Sequence, residues 1–221
     1  MLQVGAWDER VRRDTVDAQD ELEIRRLIET WVIWRDSGVD FDRLATLWHP
    51  QGQMSAVWCR TSASEFIAGS KAAFDRGGKA LHLLGGSAIE VSGERAIAQT
   101  RVAIMVRGVV HEAEVDVTCY GRFYDLFEKL DGRWLLYLRQ PIYDLDQMIP
   151  TEPGRRVELD ADLLNSFPEG YRHMAYMFTQ AGLPVMPGLP GTRGPEVEAL
   201  MKQGRAWLAG LAAAEPSVQG R

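Results

Sequence analysis

The first clear pattern along the chain is helical. Ile24, Leu27, Ile28 and Trp31 recur three and four positions apart, which predicts one apolar stripe on a helix running from Asp17 to Asp36. Asp17 or Asp20 is expected to cap its start, and Gly38 to stop it. The helix ends in four large apolar residues, Trp31 to Trp34, and then Arg35 and Asp36. A run apolar on every side is expected to be surrounded by protein, so Asp36 would border a dry region, where an acid needs a partner. A short second helix is predicted over Asp40–Trp48, ended by His49-Pro50 because proline disfavours helix at the preceding residue. Gln53–Cys59 reads as a strand. Thr61–Glu65 opens a third helix with Phe66, Ile67 and Phe74 on its apolar face and Gly77-Gly78 at its end.

After Gly78 the period changes to two. Strands are predicted over Ala80–Leu84, Ser87–Val91, Ala96–Val106, Glu112–Phe127 and Arg133–Tyr143, with Asp131-Gly132 as a tight hairpin turn. Helices first and antiparallel strands afterwards describe an α+β fold: a cone-shaped, curved antiparallel sheet wrapped around the N-terminal helices on one face. Such a sheet closes one end and leaves a cavity at the other. After Pro150 the texture changes to a linker at Thr151–Gly154, helices over Asp160–Phe167 and Pro168–Ala181, an irregular Pro- and Gly-rich segment, and a last helix over Pro195–Leu211. The expected organisation is an N-terminal arm (1–16), an α+β domain (17–150) and a helical extension (151–221) that packs on the domain or on a neighbouring subunit. The tail after Ala212 is expected to fray.

Composition removes several classes. A net charge of −6 gives no sequence-independent grip on phosphates, so no nucleic-acid partner is expected. No apolar run approaches the roughly 20 residues of a membrane helix, and Met1–Asp20 has no apolar signal core. A cytoplasmic location is therefore expected, with Cys59 and Cys119 as buried apolar fillers. The four histidines have no helical metal spacing and no phosphate loop or nucleophile elbow occurs, so no metal and no cofactor are expected.

The candidate chemistry centres on His82, in the apolar strand Lys79-Ala-Leu-His-Leu-Leu84, with Asp36 as its partner. A histidine held by an acid can serve as a base near neutral pH, because the acid fixes the tautomer and stabilises the imidazolium. Arg35 is a rival partner for Asp36; Asp40 and Asp42 fit cap and turn roles, and His49 a capping role. Arg139 lies among apolar residues and needs an anion, from the protein or from a substrate. Trp31, Trp34, Phe66, Tyr120 and Tyr137 are candidate walls for a cyclic, largely apolar substrate. His111 or Tyr120 is a candidate aid to a leaving group or oxyanion.

Three segments carry a family resemblance: the acid-ended helix followed by Val39 to Pro50, the stretch Leu81-His82-Leu-Leu-Gly-Gly-Ser87, and Tyr120 to Trp134 with the strand after it. By these, residues 17–145 resemble the SnoaL-like, nuclear transport factor 2-like superfamily, whose fold is a cone-shaped α+β barrel with a deep pocket. The helix-end acid and strand histidine resemble the pattern of scytalone dehydratase, the bile-acid dehydratase and hexachlorocyclohexane dehydrochlorinase. The resemblance implies His82 as base, Asp36 as its partner, and Arg139, five positions after Trp134, as a cationic helper. Some dehydratases carry a tyrosine where this chain has Trp31. The expected activity is a cofactor-independent lyase, with an isomerase, a cyclase-like enzyme or a non-catalytic binding module as alternatives, assembled as a homodimer or homotrimer.

Overall fold

The computed structural model describes residues 5–38 and 40–211, with side chains from Ala18 onward. The tail after Ala212, Val39 and residues 1–4 of the expected arm lie outside the described residues. Helix α1 (Gly5–Ser37) starts much earlier than the apolar stripe does. Its stripe is as expected: Ile24, Leu27, Ile28, Trp31 and Val32 are buried in one core. Asp20 is not a cap. It sits inside the helix and is buried, where it accepts from Trp134 Nε1 (2.9 Å) and Lys129 Nζ (2.5 Å), pinning α1 to the two strand ends that flank the Asp131-Gly132 turn. The Trp31–Trp34 run is not enclosed on all sides either. Ile33 is 66% exposed, because two helical steps carry it roughly 200° away from Trp31.

Helix α2 is one turn (Phe41–Ala45), after which β1 (Trp48–Ala56) begins at once, so His49-Pro50 starts a strand rather than ending a helix. His49 is no cap; its Nδ1 accepts from Gln51 N, and Nε2 lies 3.3 Å from Glu128. Asp40 likewise gives α2 no side-chain cap and pairs with Arg43. A turn at Val57-Trp58 leads to β2 (Cys59–Ser62) and α3 (Ala63–Asp75). Ser62 opens α3 with a capping box: its hydroxyl accepts from Glu65 N while the Glu65 carboxylate accepts from Ser62 N.

The strands are longer than their alternation suggests. β3 (Lys79–Ser92) runs through Gly85-Gly86 with only a register shift between Leu84 and Ser87, merging two expected strands. β4 (Arg95–Val110), β5 (Ala113–Leu130) and β6 (Arg133–Pro150) form the long antiparallel ribbon. The six-stranded sheet has the order β2-β1-β6-β5-β4-β3 and does not close. It is not wholly antiparallel, since β1 pairs with β6 in parallel.

The C-terminal segment forms α4 (Ala161–Asn165), α5 (Arg172–Gln180) and α6 (Pro195–Leu208). Helices cover both faces of the sheet, not one. α5 shares a core with Val115, Val117, Cys119 and Tyr143. α6 lays Val197, Leu200 and Trp207 on the opposite face, over Ile97, Leu126, Leu138 and Ile142. α6 approaches so closely that a Cβ at Gly204 would fall on the Tyr124 hydroxyl. The free cysteines Cys59 and Cys119 are both buried, and burial pushes the Cys59 thiol up to about 12.

Candidate functional site

The last turn of α1 brings Asp36 to the inner side of β3. There its carboxylate binds His82 twice: Oδ1 lies 2.8 Å from the imidazole Nδ1, and Oδ2 accepts from the His82 backbone N–H at 2.7 Å. Two points of contact fix both the strand position and the ring. A carboxylate accepts only, so Nδ1 carries the proton and Nε2 keeps its lone pair. The Arg35 guanidinium also touches Asp36, but at 3.4 Å, so the histidine is the nearer partner. His82 is 8% exposed. Its burial outweighs the attraction of Asp36 and holds the imidazole below its ordinary value, neutral at pH 7.

His82 packs edge-on to Trp31 (ring centroids 5.7 Å apart) and tilted against Phe123 (5.8 Å). The Arg139 guanidinium lies over the same two rings, 4.2 Å from Trp31 and 4.1 Å from Phe123. Arg139 is wholly buried and forms a two-point pair with Asp125 across β5 and β6, Nε–Oδ1 2.9 Å and Nη2–Oδ2 2.7 Å. The protein itself thus supplies the anion that a buried arginine needs. Burial raises the Asp125 carboxyl and Arg139 pulls it back down. Arg139 Nη1 is buried and has no hydrogen-bond partner, and neither have the indole nitrogens of Trp31 and Trp48. Trp31 stacks on Phe66 of α3 (5.9 Å) and meets Trp48 edge-on (6.5 Å), completing an aromatic cluster around these groups.

Of the residues expected at the site, His82, Asp36, Arg139, Trp31 and Phe66 come together, and four do not. Tyr120 is on the outer face of the sheet, 39% exposed, with its hydroxyl accepting from Gln147. It borders a groove of about 290 Å³ with Leu83, Arg101 and Leu145. Tyr137 is also on the outer side, stacked on Trp207 of α6 at 4.5 Å, because the register shift after Leu126 turns its ring away from Arg139. His111 is in the β4–β5 turn, where its Nε2 meets the Tyr176 hydroxyl (2.7 Å). Trp34 lies at the core's edge under the Arg43 guanidinium, 4.4 Å from it.

Sequence reasoning missed Asp125, Trp48 and Phe123 as groups that hold Arg139 and Trp31. The run Phe123-Tyr-Asp-Leu-Phe127 carries the signal, since five successive buried residues mark a strand covered on both faces. It also missed a second pair of the same form. The carboxylate of Asp146, on β6, binds His173 Nδ1 (2.7 Å) and the backbone N–H groups of His173 (2.7 Å) and Met174 (3.0 Å), closing the first turn of α5. Among the described residues no group of three or more His, Cys, Asp or Glu is arranged to hold a metal, and no helix is long and apolar enough to cross a membrane.

The SnoaL-like domain family matches residues 16–140, and the chain belongs to it. Pea pathogenicity protein 2 of Fusarium vanettenii is 35% identical over 180 residues, 80% of this chain and 77% of its own. A PEP2-like protein of the same fungus is 33% identical over 202 residues, 86% of each chain. Two solved structures show the same fold. A protein of Novosphingobium aromaticivorans provisionally named a scytalone dehydratase is 18% identical, with a TM-score of 0.51 over 66% of this chain and 99% of its own. A type 2 hexachlorocyclohexane dehydrochlorinase is 14% identical, with a TM-score of 0.53 over 67% of this chain and 99% of its own.

Proposed function

We propose that this protein is a cofactor-independent lyase that removes a carbon-bound proton from a small cyclic compound and expels a hydroxyl or halide from the adjacent carbon. The observation that carries this reading is the Asp36 carboxylate 2.8 Å from His82 Nδ1, which leaves Nε2 as a free base in a dry aromatic surround. In the reaction Nε2 takes the proton, and the C–H electron pair becomes the new C=C bond. The leaving group departs with its own electron pair. Asp36 stabilises the imidazolium, a role worth most where water is absent. The charge that builds on the leaving group faces the unpartnered Nη1–H of Arg139. When hydroxide leaves, it collects the proton held by His82 and departs as water; a halide leaves as the anion. The family and the two named structural neighbours support elimination over other uses of the fold.

The test is turnover of a panel of hydroxylated and halogenated cyclic compounds by the wild type, His82→Ala and Asp36→Asn. A general base contributes about 10²- to 10⁴-fold, so His82→Ala is expected to lose at least the lower figure. Asp36→Asn, which keeps the shape but not the charge, is expected to lose activity as well. Turnover that survives both substitutions unchanged overturns the mechanism.

A further inference from the structure

α6 covers part of the sheet's outer face, over Ile97, Leu126 and Leu138, and leaves an apolar row beside it exposed. Leu83, Ala103, Tyr120 and Leu145 are partners in turn across β3, β4, β5 and β6. Leu83 is 58% and Leu145 53% exposed, and both line the groove of about 290 Å³ that Tyr120 borders. Single exposed leucines need no account, but a contiguous apolar row in a groove does. The volume is close to the lower end of the roughly 300–1,000 Å³ usual for small-molecule sites.

Between this row and α6 two arginines face each other. Arg101 on β4 and Arg122 on β5 are direct cross-strand partners, an arrangement of like charges that destabilises a sheet. Among the described residues neither is in an ion pair, and Arg122 Nε is buried without a hydrogen-bond partner. Elsewhere on the same face the arrangement is the opposite: Arg107 lies across from Asp116 and forms a two-point pair with it, 2.6 and 2.7 Å. Gly85-Gly86 of β3 supply no side chain to screen Arg101. A Cβ at Gly85 would come within 3.1 Å of the Arg101 Cβ.

The carboxylate in the groove lining is Asp144, and it accepts from Thr192 Oγ1 at 3.2 Å rather than from either guanidinium. Two guanidinium groups against one carboxylate leave a single positive charge. A monoanion cancels it. A phosphate monoester, at about −1.5 to −2, overshoots and meets Asp144. The flat fork of a guanidinium also matches a carboxylate.

We infer that this groove binds a small monocarboxylate with an apolar tail, its carboxylate on Arg101 and Arg122 and its tail over Leu83, Tyr120 and Leu145. The site is independent of the lyase reading. Alternation along β3 turns Leu83 outward and His82 inward, so the groove and the Asp36–His82 pair are on opposite faces of the sheet.

The experiment titrates the protein with octanoate, octanol and octyl phosphate by calorimetry, for wild type and Arg101→Gln, and follows leucine and isoleucine methyl signals in the wild type. Octanoate is expected to bind at least about tenfold more tightly than octanol, the worth of one charge-assisted contact, and more tightly than octyl phosphate. Arg101→Gln is expected to lose about that factor for octanoate and nothing for octanol. Without ligand its melting midpoint is expected to be unchanged or higher, since a like-charge contact is gone. The methyl signals of Leu83 and Leu145 are expected to shift with octanoate, and that of Ile28 in the inner core to stay. These signals and the comparison of the three ligands are read on the wild type, so they stand whatever the variant does. Octanol equal to octanoate, octyl phosphate as tight or tighter, or shifts at Ile28 in place of Leu83 and Leu145 overturns the site. So does a variant that melts lower and still binds octanoate, which makes the arginines structural. A self-associated chain that buries this face and takes up no octanoate overturns it as well.

Discussion

Asp125 and Arg139 face each other across β5 and β6 as a two-point ion pair with no solvent contact on either side chain. Breaking one half leaves the other charged and dry. Asp125→Ala is therefore expected to lose about 3–5 kcal/mol of stability, read from urea denaturation. Replacing both, as Asp125→Leu with Arg139→Met, is expected to lose far less, because the charges leave together. A double variant as unstable as the single one would show that the pair's geometry, not charge burial, is what counts.

His82 gives the fold an acid limit. Burial holds its folded imidazole below the value near 6.5 that it has when unfolded. Below that pH the unfolded chain takes up a proton that the folded one resists, so stability falls as pH falls. The loss is absent above about pH 6.5 and continues down to the folded value. His82→Gln cannot make it. Subtracting the variant's stability–pH curve from the wild type's cancels His49, His111 and His173, and the difference is expected to turn against the wild type below about pH 6.5. Parallel curves would contradict the assignment.

α6 is seated by the absence of a side chain. A Cβ at Gly204 would lie 1.8 Å from the Tyr124 hydroxyl and 2.8 Å from its Cζ. In an exposed helix, Gly→Ala stabilises by about 1 kcal/mol. Here the overlap wins, and Gly204→Ala is expected to destabilise by about 1–3 kcal/mol. Adding Tyr124→Phe removes the nearer atom and is expected to restore part of that, measured as the coupling in a double-mutant cycle.

Asp146→Ala tests the second carboxylate–histidine pair. It deprives two backbone N–H groups and His173 Nδ1 of their acceptor, at about 1–3 kcal/mol for the buried groups left unpaired. Amide exchange is expected to speed up in α5 while the α1–β3 contact through Asp36 stays protected. Uniform acceleration would mean that α5 is not held separately.

Much of this was readable in the residues. The stripe Ile24–Trp31 forecast the buried face of α1, Asp131-Gly132 the β5–β6 turn, and alternation the inward side of β4. The Asp36–His82 contact came from family pattern rather than spacing, since nothing local links residues 46 positions apart. Tyr137 was misplaced because facing depends on register, and the shift that skips it changes the side its ring points to, whereas Tyr120 simply follows the alternation of β5, opposite Cys119 and Phe123. The β4–β5 turn was hidden for another reason. His111 and Glu112 both adopt positive φ, 47° and 63°, without the Gly or Asn that usually announces it.

The core that α5 shares with the sheet has a consequence for where this protein can be cut. Val57 N–H reaches the Tyr143 hydroxyl at 3.2 Å, and Trp58 touches both this core and the one under α1. The family's boundary at residue 140 falls inside β6. A polypeptide ending at Pro150 would lay bare Val115, Val117 and Ile142 on opposite sides of one sheet. It should come out of the cell as an aggregate, so the segment after Pro150 is as much part of the folding unit as the first helix.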